Sequence, residues 1–200
     1  MPFDLVGIFR LKPSPVLRTA FTRFSASPDL ALRSLGLRGY VASGDPSSIL
    51  DVYQNYTTLS ASKFWRSLVQ EIKFYYVNST PQSVQTLGQI ATDTKTGLDL
   101  RIAAAVALAR IHTQQSLPYL ARLLADPNFS LKSAAVGGMA SFANNVPIGS
   151  HEPASGTWRY RTDDTIAHSA FDENIVTKQE SYYVGFWQTW WQKNQSALAQ

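Results

Sequence analysis

The chain is 200 residues long with 44% hydrophobic and 16% charged residues, enough for one domain with a sizeable core and no covalent staples. It contains no cysteine, which excludes disulfides, thiolate nucleophiles and cysteine-held zinc. The net charge of +4 comes without any run of four or more cations, and no apolar stretch approaches the ~20 residues of a membrane-spanning helix.

Six cations, Arg10, Lys12, Arg18, Arg23, Arg33 and Arg38, fall in the first forty residues. Spaced as they are, they read as a solvated face rather than the dense footprint of a nucleic-acid binder. The opening MPFDLVGIFRLKPSP carries Asp4 early and has no long apolar core, so it does not read as a signal peptide. Compartment stays open between the cytoplasm and a mature exported bacterial domain.

From residue 14 to 145 a repeat organises the chain. SPDLALRSLG, SASKFWRSLV, KTGLDLRIAA and DPNFSLKSAA each place an apolar residue before a cation: Leu32-Arg33, Trp65-Arg66, Leu100-Arg101 and Leu131-Lys132. The cations are 33, 35 and 31 residues apart, a period that belongs to arrays of helix pairs. Ser27-Pro28, Thr80-Pro81 and Asp126-Pro127 read as helix starts, with an oxygen to cap free N–H groups and a proline for the first turn. The helix after Gly97 puts Leu100, Ala104, Ala107, Leu108 and Ile111 on one face. Between the marked helices lie partners starting at Pro46, Pro81 and Ser116. Ser43-Gly44-Asp45 is short enough to force antiparallel neighbours. His112 sits near a helix C-terminus, a place for structural charge complementarity.

These residues resemble HEAT repeats of the short bacterial kind, close to armadillo-type arrays. The resemblance rests on LRIAAAVALARIHT and SLPYLARLLADPNFSLKSAAVGGMASFAN: a leucine-rich helix, an Asp-Pro turn, then an apolar-cation pair leading an alanine-rich helix. Residues 81–145 carry it; residues 15–80 carry it loosely, with Trp65 and the Phe74, Tyr75, Tyr76 cluster where small residues are usual. The resemblance implies an all-α superhelix of about four antiparallel helix pairs, in which Arg33, Arg66, Arg101 and Lys132 form a structural ladder along one edge. It also implies a scaffold that binds a partner protein or peptide along its surface, without cofactor. Some members of the family are enzymes, bilin lyases and DNA glycosylases among them.

Beyond residue 145 the repeat stops. Residues 146–161 read as a long Pro/Gly/Ser-rich loop and 162–200 as a short acidic helix followed by a C-terminal capping helix. Asp164, His168 and Asp172 fall at helical spacing on one face and are the candidates for a divalent metal; His168 and Asp172 are also the candidates for acid/base catalysis. No spacing here is diagnostic, and capping charges on a solvated face are the plainer account. Three readings therefore stand: a non-catalytic scaffold, a metal-dependent or acid/base enzyme built on residues 151–180, and a nucleic-acid binder using the N-terminal cations. In YYVGFWQTWW, Tyr182, Phe186 and Trp190, and Tyr183, Trp187 and Trp191, form two rows on one helix face, suited to closing an open array.

Overall fold

The computed structural model describes residues 4–145, 148 and 178–198. Among them are eleven α-helices, one 3-10 turn and no strand. The helices are α1 Leu5–Leu11, α2 Pro15–Ser25, α3 Leu30–Ala42, α4 Pro46–Gln54, α5 Tyr56–Leu59 and α6 Trp65–Tyr75. There follow α7 Pro81–Thr92, α8 Leu98–Ile111, α9 Leu117–Leu123, α10 Phe129–Asn144 and α11 Glu180–Leu198. The chain divides into two compact units, Met1–Thr86 and Leu87–Gln200. None of these helices is long and apolar enough to cross a membrane.

Helix starts are set by side-chain caps, though not always at the residues expected. Asp29 caps α3 by accepting from Leu32 N at 2.8 Å, and Ser27 supports that turn by accepting from Asp29 N. Asn128 caps α10, while Asp126 Oδ1 accepts from Asn128 N at 2.8 Å. The Ser-Pro and Asp-Pro pairs thus shape the turn before the helix, one step upstream of the cap itself. Thr80 caps α7 as expected, accepting from Ser83 N at 3.4 Å.

The first unit is organised on α3, which packs against α1, α2, α4 and α6. Val6, Phe9 and Phe21 are buried together, with Leu17, Phe24, Leu35 and Tyr40 against them. The α2–α3 crossing is a backbone contact. A Cβ on Gly36 would stand 2.1 Å from Ser25 N, and one on Gly39 would stand 2.1 Å from the Phe21 ring. Only glycine lets the two helices come this close.

The second unit rests on the alanine-rich α8 and α10, which pack on each other, with α9 against both. Ala103, Ala104, Ala107, Ala135, Ala140 and Ala143 are buried, so short side chains set the spacing. Gly138 lies so near Ala109 that a Cβ would meet that residue's own Cβ at 2.8 Å. α11 packs on α9 and α10, burying Tyr183, Trp187, Trp190 and Leu198. The buried stripe follows i, i+4, i+7, one row rather than two: Tyr182 is 52% exposed, and Phe186 and Trp191 are half-buried. Trp187 is fully buried and meets Phe186 and Trp190 edge-on at 5.0 and 5.4 Å.

Candidate functional site

The four repeat cations sit in first helical turns, and three share one register. Arg33, Arg101 and Lys132 are each the fourth residue of their helix, whereas Arg66 is the second of α6. Their partners differ. Arg33 Nε donates to Ser27 O at 2.9 Å, closing its own turn. Arg66 is exposed. Arg101 is buried; its Nε donates to Ala91 O at 3.1 Å and its Nη2 pairs with Asp126. That guanidinium satisfies a carbonyl in the last turn of α7 and fixes the turn before α10 in one step. Lys132 pairs with Glu180 at the start of α11.

Two of the six N-terminal cations are engaged inside the first unit. Arg10 Nη1 and Arg38 Nε donate to the two oxygens of Glu71 at 2.9 and 3.0 Å, and Arg38 Nη2 donates to Asp4 at 3.0 Å. Glu71 is 1% exposed, so two of the six cations compensate a buried carboxylate and clamp α1 and α3 onto α6. Arg10 also lies 3.5 Å over the Tyr75 ring. Burial pushes the Glu71 carboxyl above its usual range, against the pull of both guanidinium groups. For Asp4 burial acts upward too, but the Arg38 hydrogen bond, the Gly7 backbone N–H and the nearby charges prevail and hold it low. Sequence reading missed this network, because its members stand 33 and 61 residues apart with no periodic signal.

Two other polar clusters are structural. Tyr76 and Ser83 share a buried hydroxyl contact at 2.7 Å, joined by Thr80 and Asn78, while Asn78 Nδ2 donates to Gly44 O at 2.6 Å. His112 ends α8 in a left-handed conformation, φ 56°. Its Nδ1 meets Ser141 Oγ at 2.9 Å and its Nε2 meets Asn145 Oδ1 at 3.3 Å. This has the residue types of a nucleophile and base, but Ser141 is fully buried in α10. His112 is a helix cap, as its position in the sequence implied.

Asp164, His168 and Asp172 lie outside the described residues, as does all of the 146–161 loop but Ile148. Among the described residues no three His, Asp or Glu side chains stand close enough to hold a metal.

The second unit does present a recess of ligand size. An open groove of about 310 Å³ runs between the start of α9 and the last turns of α11, lined by Gln114, Pro118, Trp191, Gln195, Ser196 and Leu198. Gln114 Nε2 donates to Leu198 O and ties the two walls. The volume reaches the lower bound of ordinary ligand sites, ~300 Å³. A second recess in the first unit, beside Arg18, Tyr40 and Asp45, is only about 70 Å³. Among the described residues the groove has no ionisable lining: one indole, one pyrrolidine, two amides, a hydroxyl and a leucine side chain. Such a surface can cover an apolar side chain and exchange hydrogen bonds with peptide groups, but it has no acid or base to move a proton.

No family model, curated protein or solved structure matches the chain. The molecule is therefore defined by its own features as an all-helical protein.

Proposed function

We propose that this chain is a non-catalytic scaffold of HEAT-like helix pairs that holds a neutral peptide segment of a partner protein. The repeat reading is supported by the common register of Arg33, Arg101 and Lys132. The bridges from Arg101 in α8 to Asp126 in the turn before α10, and from Lys132 in α10 to Glu180 at the start of α11, support it too. The binding reading rests on the groove beside Trp191. An indole and a proline ring together make the kind of surface on which peptide side chains anchor. Gln114 and Gln195 add donors and acceptors that an extended backbone can use, and among the described lining residues no charge favours a charged ligand.

The test is a display selection of random peptides on the purified protein, counter-selected on Trp191→Ala. Enrichment of uncharged peptides containing proline or an aliphatic anchor, absent with the variant, supports the proposal. Peptides that bind both proteins equally reject the groove, and the binding surface then lies elsewhere.

A further inference from the structure

The first unit ends in a hairpin tip that carries both aliphatic and cationic surface. Leu11, the last residue of α1, is 89% exposed, and Val16, the second of α2, is 77% exposed. Only Lys12, Pro13 and Ser14 join the two helices, so both side chains stand at one tip with Lys12 between them. Each helix continues the pattern along its outer side. On α1 the inward residues are Val6 and Phe9, while Leu5 and Ile8 face out in line with Leu11. On α2 the inward residues are Leu17, Phe21 and Phe24, and Val16 shares the outward row with Arg23 two turns on.

Charge along the α1–α2 segment has one sign. Residues 5–28 contain no acid. Arg10 is committed to Glu71, but Lys12, Arg18 and Arg23 are exposed. Isolated exposed aliphatics are ordinary on a protein surface. Here four of them sit on α1 and the start of α2, two beside the turn that joins them, interleaved with cations. Asp45 lines the recess beside Arg18, but among the described residues Lys12, Arg18 and Arg23 form no ion pair.

We infer that the α1–α2 hairpin docks on the surface of an anionic lipid bilayer. Leu11 and Val16 enter the boundary between headgroups and acyl chains, and Lys12, Arg18 and Arg23 pair with lipid phosphates and carboxylates. A bilayer uses both features at once: it takes up apolar side chains and attracts cations through its surface potential. A nucleic acid would use the cations but gains nothing from Leu11 and Val16. A second copy of the hairpin would have to place like charges against each other.

The test is co-sedimentation of the full chain with sucrose-loaded vesicles, phosphatidylcholine alone against phosphatidylcholine with phosphatidylserine. Binding to the anionic vesicles, little binding to the neutral ones, and release by salt are expected. Each cation near such a surface contributes roughly fivefold in partitioning. Lys12→Gln with Arg18→Gln and Arg23→Gln should therefore lower it by about 100-fold. Leu11→Ser with Val16→Ser should lower it by at least about tenfold, from the aliphatic area lost to water. All five positions are exposed, and an unchanged circular-dichroism melt verifies that the variants fold. No pelleting of the wild-type chain overturns the proposal, as does pelleting that the Leu11→Ser, Val16→Ser variant retains. Tight binding of a duplex oligonucleotide that survives Leu11→Ser, Val16→Ser would assign the cations to nucleic acid instead. A dimer in light scattering that this variant dissolves would assign the tip to self-association.

Discussion

Replacing Asp126 with alanine strands a buried cation. Arg101 and Asp126 are both nearly enclosed, and Arg101 reaches back to Ala91 O while it pairs with Asp126. Without the carboxylate the guanidinium keeps one carbonyl partner and loses its counter-charge. Breaking a buried pair from one side costs about 3–5 kcal/mol. The same substitution removes the Oδ1 that accepts from Asn128 N, adding about 1 kcal/mol. Against a total stability of about 5–15 kcal/mol, the variant should unfold at much lower urea. Urea titration followed by tryptophan fluorescence reads this, since Trp187 and Trp190 are buried in the same unit. Arg101→Met alone should also be costly, because Asp126 is then the orphan. The Arg101→Met, Asp126→Leu pair should recover much of the loss, as apolar replacements of buried pairs commonly do. If Asp126→Ala costs under about 1 kcal/mol, or the two single losses simply add, the bridge is not coupled and the reasoning fails.

Glycine substitutions should separate close approach from free space. Gly36→Ala drives a methyl into the backbone of α2 and should cost at least about 1–3 kcal/mol, read as loss of exchange protection over residues 15–42. Gly185→Ala meets nothing within 4 Å on α11 and should raise the melting temperature, by roughly 0.5–1 kcal/mol of helix propensity. Asn128→Ala should cost about 1 kcal/mol and Pro127→Ala less, which a urea midpoint comparison checks; the reverse order would return the cap to the Asp-Pro pair. The Glu71 carboxyl is raised in the fold, so its contribution to stability is complete below the unfolded value and is lost as pH climbs through the folded one. Exchange protection in α6, corrected for intrinsic rates, should fall as pH climbs above the ordinary carboxyl range and through the raised Glu71 value, and Glu71→Gln should erase that fall. Asp4 works the opposite way, its stabilisation being lost as pH falls through its lowered value. Its loss falls below roughly pH 4, outside that window.

Local physics was readable in the sequence. Periodicity and Pro-marked starts pointed to α3, α4 and α6 to α10, because amphipathic spacing and caps act over three or four residues; the break at Asn55 that sets off α5 carried no such signal. Arg101 was legible through the recurring apolar-cation spacing, Asp126 through the Asp-Pro turn, and His112 through its place at a helix end. What escaped were long-range choices. The sequence pattern puts two adjacent aromatic rows on one face of α11; packing against α9 and α10 buries Tyr183 and Trp187 from one row and Trp190 from the other and turns Tyr182 outward. Of Phe74, Tyr75 and Tyr76, only Tyr76 is buried, held by Ser83. The clamp of Arg10 and Arg38 on Glu71 and the groove at Trp191 both join residues distant in the chain, so no local motif announces them. Asp164, His168 and Asp172 were the residues the sequence offered for chemistry, and they lie outside the described residues.

The central claim is that partner binding occurs at the neutral groove beside Trp191. The most direct measurement is a fluorescence-polarisation titration of a display-selected peptide against the wild type, Trp191→Ala and Gln195→Ala. The expected result is a loss of at least about tenfold with Trp191→Ala and a smaller loss with Gln195→Ala, at unchanged thermal stability. Equal affinity for all three proteins would contradict the account.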